Sequence, residues 1–513
     1  MPPHAASDAA APTKGRPGLT MLAALAGLFI TLLDVTVVNV ALPTIRDDLD
    51  TSFTDLEWIA NAYLLALGVF IVTAGRLGDI HGHRRIYVLG VVTFLAGSLI
   101  CGLAGDITVL HAGRVVQGIG GAVVIPLTLA IIYTNFDGPL RARGIMLWGA
   151  VGGLATALGP LIGGFLVQHI GWESIFLVNL PIGAVVIAAT LMAVEDKRRP
   201  ENEPRPPMDV LGLLSISIAL FCLNLALVNG HGWGWTSGRV LGLLAAAVVM
   251  LVAFLVVEAR SASPIMDLSW FRRPSFGGSA VAGFLLGAGM FSIIFYLSIY
   301  LQNGLHLSAQ ATGVRLLPLT LMLIVGAPLG GRLVAKSGPR VALGATLALM
   351  AVGIALFTLI DPDGDAGSWV RLLPGMLVCG LATGVAMPIV SELTVSTAPQ
   401  NQVGVASSVG TMLRQVGNAM GVAIMGTLMS IQINQAEDEV TGLRKAGTLT
   451  PDAARHIGGR AVAHALQHAA WYGAAVTLLA ALLVFRFVSS RPPAAEPPAQ
   501  PKDDVRLPAY TQR

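Results

Sequence analysis

Charged residues are scarce in this chain, at 12% of 513 residues, where soluble proteins carry roughly a quarter. Hydrophobic residues reach 54%, so the sequence lacks the charge needed to coat a soluble fold. Cysteines are also few: Cys101, Cys222 and Cys379 each stand alone in an apolar run, which excludes a disulfide framework and a C-x-x-C metal or redox site. Neither sign of charge dominates, with 32 Lys and Arg against 29 Asp and Glu. No dense basic run is interleaved with aromatics, so nucleic acid is not an expected partner. A nucleotide loop is missing too: Gly330 to Ser337 ends in Ala-Lys-Ser where a phosphate loop requires Gly-Lys-Ser, so ATP is not the expected energy source. The first residues hold Pro2, Pro3, Pro12 and Pro17 among Ala, Ser and Gly, a polar lead with no cleaved signal peptide expected.

What the chain has in abundance is long apolar runs. A bilayer core about 30 Å thick takes roughly 20 helical residues at 1.5 Å each. Segments of that kind lie near 19–41, 56–76, 86–104, 108–133, 144–168, 174–194, 209–229, 238–257, 277–301, 311–335, 341–360, 370–392, 404–427 and 471–488. The expected fold is therefore an all-α membrane protein of about fourteen spans. An even number puts both termini on one side. With that side cytoplasmic, most Lys and Arg fall inside, among them Arg84, Arg85, Arg141, Arg143, Lys197 to Arg199, Arg272, Arg273, Lys336 and Arg340. Arg46, Arg239, Arg371, Arg444, Lys445, Arg455 and Arg460 fall outside, and Arg114, Arg315 and Arg414 fall within spans. The only sizeable extramembrane piece expected is an external loop at about 430–468.

The chain repeats itself. GRLGDIHGHR (Gly75 to Arg84) and GRLVAKSGPR (Gly331 to Arg340) share Gly, Arg, Leu, Gly and Arg at the same places, each after the second helix of a group of six. This implies a tail at 1–18, a six-helix half at 19–200, two inserted helices at 201–260, a second six-helix half at 261–490 and a tail at 491–513. Related halves suggest rocking around a central cavity.

Ionisable residues inside the spans are the natural carriers of function. Asp34 lies roughly 22 Å along the first span, where a carboxylate either takes up a proton or is satisfied by backbone or a nearby Arg. Arg114 enters the fourth span at a matching depth and either pairs with Asp34 or bonds to backbone carbonyls. Gly152, Thr156, Pro160 and Gly164 share a face of the fifth span, with Gly159 and Gly163 beside them, a pattern that permits close packing and a bend. Asp79, Arg84 and Arg85 crowd the turn after the second span, as a charged latch or as topology determinants; the second copy has Ala335 in the place of Asp79. Arg315 and Arg414 are candidates to face a substrate cavity, with interhelical hydrogen bonding as the alternative. Glu392 reads as an interfacial charge. His456, His464 and His468 read as solvated histidines rather than a metal site. The intramembrane ionisables are too few and scattered for a membrane-embedded enzyme, so no catalytic residues, metal or cofactor are expected.

Five motifs carry a family resemblance: LLDVTVVNVALPTI (Leu32 to Ile45), GRLGDIHGHRR (Gly75 to Arg85), RVVQGIGGA from Arg114, ALGPLIGG (Ala157 to Gly164) and GWESIFLVNLPIG (Gly171 to Gly183). With them the chain resembles the major facilitator superfamily, most closely its fourteen-span drug:proton antiporters. The resemblance implies that Asp34 and Arg114 belong to proton coupling and that Gly75, Asp79, Arg84 and Arg85 form a conformational latch. It also implies that Gly159, Pro160, Gly163 and Gly164 form the exporter hallmark. Glu173 departs from the family's usual Arg. The expected function is proton-driven export of lipophilic drugs or antibiotics across the cytoplasmic membrane, with lipid, protons and a small lipophilic substrate as partners. A monomer suffices for this architecture. The rivals are a dedicated exporter of an endogenous metabolite, peptide or lipid, and a non-transporting receptor that would not need Asp34 to titrate.

Overall fold

The computed structural model describes residues 16–195, 208–261, 264–364, 366–446 and 448–489. The remainder of the two expected tails and the basic stretch containing Lys197 to Arg199 and Arg205 lie outside the described residues. Among the described residues every regular element is a helix. The first six spans are α1 (Pro17–Leu49), α2 (Phe53–His81), α3 (His83–Gly102), α4 (Ile107–Asn135), α5 (Gly138–His169) and α6 (Ser174–Ala193). Next come α7 (Val210–Trp233) and α8 (Gly238–Arg260). The last six are α9 (Pro274–Gly304), α10 (309–337), α11 (339–359), α12 (Leu373–Ser396), α13 (Val403–Lys445) and α14 (Pro451–Phe487).

Among the described residues twelve helical runs are long and apolar enough to cross a bilayer, and bent α5 makes a thirteenth. The run Gln310–Leu359 holds 50 residues, about 75 Å if continuous, more than twice a bilayer core. It breaks at Gly338, where φ is 75° and ψ 163°, into α10 and α11, which yields the expected fourteen. Gly82, at φ 97°, occupies the same eighth place in the first copy of the repeated motif. Only glycine enters this region without strain, so the repeat encodes the same helix break twice.

The ends of the bundle are here called proximal, where α1 begins, and distal. Five of the seven helices that begin distally open on a side chain that accepts an otherwise orphaned N–H: Ser52 for α2, Asp106 for α4, Ser237 for α8, Ser308 for α10 and Thr450 for α14.

One expectation needs correction. The segment at 430–468 is not a loop: α13 runs to Lys445 and α14 begins at Pro451, so most of it is helical. Its Gln, Ala, Glu, Leu and Arg content favours helix, and Arg460 on α14 bridges Glu439 on α13 at 3.3 Å and Asp363 at 3.8 Å.

The inserted pair sits outside the bundle. Ser217 of α7 donates to the Val69 carbonyl of α2 at 3.3 Å, while α8 exposes Val248 and Val249 by 61% and 64%, as a helix facing lipid does. Helix α5 bends by 41° between Thr156 and Leu158. Pro160 supplies the cause, because its ring has no N–H for the Thr156 carbonyl and crowds it.

Candidate functional site

Five helices of the first half converge on Asp34, which is 1% exposed near the middle of α1. Arg114 of α4, also 1% exposed, donates from Nη1 to Asp34 Oδ2. The same Nη1 reaches Gln117 Oε1 at 2.8 Å, and Arg114 Nε donates to the Ile59 carbonyl of α2 at 2.9 Å. Gln117 Nε2 then donates to Asp34 Oδ1 at 3.0 Å and to Ser98 Oγ of α3 at 2.7 Å. Asn179 Nδ2 of α6 completes the set, 3.3 Å from Asp34 Oδ1 and 3.2 Å from Ser98 Oγ. The Tyr63 ring lies 4.5 Å from the Arg114 guanidinium carbon, and its hydroxyl is fixed on the Thr31 carbonyl at 3.1 Å. Arg114 thus takes both options left open by the sequence, the carboxylate and a backbone carbonyl.

Two charges removed from water are tolerable only with such complete pairing, since the effective desolvation of each ion amounts to several kcal/mol. Both Asp34 oxygens are engaged and three elements must move to release them. The sequence reading missed Gln117, Ser98 and Asn179. Gln117 was legible in principle, three residues after Arg114 and hence on the same helix face.

A second set of contacts joins the two halves at the proximal end. Asp79, in the last turns of α2, accepts from the backbone N–H groups of Gly404 and Val405 at 2.8 Å each. These are first-turn N–H groups of α13, so a carboxylate from one half caps a helix of the other and faces the positive end of its dipole. His83 Nε2 lies 2.8 Å from the same carboxylate. Gly75 lets the backbones meet: a Cβ there would lie 2.8 Å from the Gly404 carbonyl carbon. Close by, Ser407 Oγ donates to the Pro126 carbonyl of α4 at 3.0 Å. Arg84 sits elsewhere, donating from Nη2 to the Leu191 carbonyl of α6 in its own half, and Arg85 lies beside it in the first turn of α3. In the second copy Ala335 has no carboxylate to offer, so this cross-half cap has no counterpart through it.

The α5 glycines divide by face. A Cβ on Gly159 would meet Thr36 Cβ at 2.7 Å, and one on Gly163 would meet the Val37 carbonyl oxygen at 3.0 Å, so α5 rides directly on α1 beside Asp34. Gly164 faces open space. Pro160 turns the other way, toward Gly313 of α10, whose Cβ would lie 3.0 Å from the proline Cβ. One bend therefore touches the Asp34 helix and the opposite half together. Overpacking at Gly159→Ala is expected to lower stability by roughly 1–3 kcal/mol, with Gly164→Ala within about 0.5 kcal/mol of wild type. Thermal unfolding of the purified protein measures both, and equal effects would refute the packing explanation.

The two arginines expected at a cavity part company. Arg315, distal on α10, donates to the Ala311 carbonyl at 3.2 Å and has its guanidinium carbon 5.6 Å from the Trp369 ring centroid, all within the second half. Arg414 of α13 enters a narrow cleft between the halves, lined by Trp148 of α5, Ser279 of α9, and Ser391 and Thr394 of α12. Its guanidinium carbon stands 5.9 Å from the Trp148 ring, whose Nε1 is anchored on Thr128 Oγ1 at 2.8 Å. Glu392 lies near the proximal end of α12. A separate cavity of about 460 Å³ lies distally among α9, α13 and α14, lined by His306, Glu437 and Arg455 among others.

Residues 24–422 match the Major Facilitator Superfamily. The tetracenomycin C resistance and export protein of Streptomyces glaucescens is 37% identical over 432 residues, covering 84% of this chain and 79% of that protein. The multidrug resistance protein Stp of Mycobacterium tuberculosis (strain CDC 1551 / Oshkosh) is 33% identical over 413 residues, 80% of this chain and 76% of that one. Among solved structures, the human organic anion transporter MFSD10 (TETRAN) superposes with a TM-score of 0.64 at 15% identity, covering 91% of this chain and 99% of that one, which speaks to the fold. With fourteen apolar spans, a helix break encoded twice and relatives of this length and identity, the chain is a multi-pass membrane protein that belongs to the Major Facilitator Superfamily.

Proposed function

We propose that this protein is a proton-coupled exporter of lipophilic drugs or antibiotics in the cytoplasmic membrane, with the proximal face and both termini cytoplasmic. The observation that carries this reading is the sealed Asp34–Arg114–Gln117–Asn179 network in the middle of the first half. Arg114 is paired with the Asp34 carboxylate while the proximal gate is shut. Rocking of the halves acts on this network through bent α5, which packs on α1 at Gly159 and meets α10 of the other half at Pro160; a shift of α1 against α4 and α6 then leaves the carboxylate without its partners in a low-dielectric interior and favours protonation. A proton entering from the distal side thereby trades places with substrate leaving. Each elementary charge moved contributes about 2.3 kcal/mol per 100 mV, so one proton per cycle supports useful accumulation.

The roles of the two relatives, resistance and export of an antibiotic and multidrug resistance, support the substrate class. The first of these names a single antibiotic, which favours a dedicated exporter of one natural product as the second reading.

The test is substrate-evoked proton movement in inside-out vesicles whose lumen is acidified and carries a pH-sensitive dye. Addition of substrate is expected to release luminal protons, and a protonophore to end substrate accumulation. Accumulation that persists with the gradient collapsed would overturn proton coupling.

A further inference from the structure

We propose that Arg414 is the anchor for an acidic group on the substrate, so that the protein prefers lipophilic organic anions over their neutral analogues. The proposal rests on the export reading and names the class of substrate that it leaves open.

Arg414 differs from the other intramembrane arginines. Arg114 is spent on a carboxylate, a side-chain amide and a carbonyl; Arg315 donates to the Ala311 carbonyl of its own helix, with its Nε unpartnered, and lies distally within the second half rather than in the cleft between the halves. Among the described residues no carboxylate pairs with Arg414 and its guanidinium makes no hydrogen bond, leaving the face of the Trp148 ring as its electrostatic neighbour. Arg414 lies about eleven residues into α13, roughly 16 Å from its proximal end, and Trp148 lies at a similar depth in α5. A guanidinium at that depth with five unused donors calls for an acceptor, and its planar fork matches a carboxylate or a similar oxyanion in two parallel bonds.

The surroundings favour an anion as well. Apart from Glu392, near the proximal end of α12, the spans from α9 to α12 and the first 30 residues of α13 carry no Asp or Glu. Ser391 faces the same cleft and its hydroxyl makes no hydrogen bond among the described residues, so it is a ready second donor. The local backbone is arranged around this residue: α9 turns through a π-helical stretch at Gly287–Phe291, and a Cβ on Gly287 would lie 2.9 Å from the Asn418 nitrogen, against the turn that carries Arg414. The cleft spans both halves. It lies on the distal side of the Asp79 cap, so separation of the halves at the proximal end opens it to the side from which export begins.

The probe pair is pyrenebutyrate and its methyl ester, which share a ring system and differ in charge. Binding to the full-length protein in lipid nanodiscs is read by energy transfer from tryptophan to pyrene. Wild type is expected to bind the acid at least tenfold more tightly than the ester. In Arg414→Gln the preference is expected to vanish while ester binding holds, and in Arg414→Lys part of the preference is expected to remain. Equal wild-type affinity for acid and ester overturns the proposal, as does a preference that survives in Arg414→Gln. The wild-type comparison decides the matter by itself should Arg414→Gln fail to fold. Proton-driven efflux of substrates from energised cells is scored separately. Anion preference without such efflux sinks the export reading and leaves the anion site, whereas efflux without anion preference does the reverse.

Discussion

Asp34→Asn is expected to reduce proton-driven efflux to background while the protein still reaches the membrane. Asparagine preserves the shape of the side chain but carries neither the charge nor the titration. Its NH2 group must also face either Gln117 Nε2 and Asn179 Nδ2 together or Arg114 Nη1, all of which are donors themselves. Arg114 then remains buried at 1% exposure without its counter-ion, and breaking a buried pair on one side destabilises by about 3–5 kcal/mol. The double variant Asp34→Asn/Arg114→Gln is expected to recover much of that stability, because both charges are gone, but none of the transport. Dye efflux from energised cells, with and without protonophore, together with thermal unfolding, separates the two effects. Efflux that survives Asp34→Asn would remove this residue from coupling.

Asp79→Ala carries the second large effect, this time on the balance between conformations. The carboxylate accepts two N–H groups across the halves at 2.8 Å each, and hydrogen bonds to a charged group are worth about 1.5–3 kcal/mol apiece. Losing both shifts the proximally closed state by about 3 kcal/mol at the low end, roughly a hundredfold in the open-to-closed ratio. The opposite half offers no matching carboxylate at this place, since Ala335 stands where the first copy has Asp79. Spin labels on the α2–α3 and α12–α13 turns are expected to report a longer separation in the variant. An unchanged distance distribution would mean that packing at Gly75 and Gly404, rather than the cap, holds the face shut.

Much of this site was visible in the chain before it was folded, and the exceptions share a cause. Asp34, Arg114 and Asp79 stand out because a charge is rare and costly in or beside an apolar span. Gln117, Ser98 and Asn179 do not, because an uncharged polar side chain on a membrane helix is common and its cost is small until its neighbours are known. The partners of Asp79 are backbone N–H groups, which every residue but proline possesses, so nothing in the letters at 404 and 405 marks them. Arg315 and Arg414 looked alike in sequence, yet one is absorbed by its own half and the other reaches the cleft between halves. The segment at 430–468 reads in sequence as an external loop, whereas α13 and α14 continue through most of it because its residues are good helix formers.

The sequence by itself determined the solvent, the all-helical architecture, the fourteen crossings and the two places where glycine breaks a helix. Hydropathy and backbone sterics act residue by residue and leave their mark in composition and spacing. Tertiary structure alone decided which polar groups meet: that Asp34 is held by three side chains from two other helices, that Asp79 caps a helix more than 300 residues away, and that Arg414 is left to find its partner elsewhere. Hydrogen bonds act over about 3 Å in directions set by helix packing, and that packing depends on the whole chain at once.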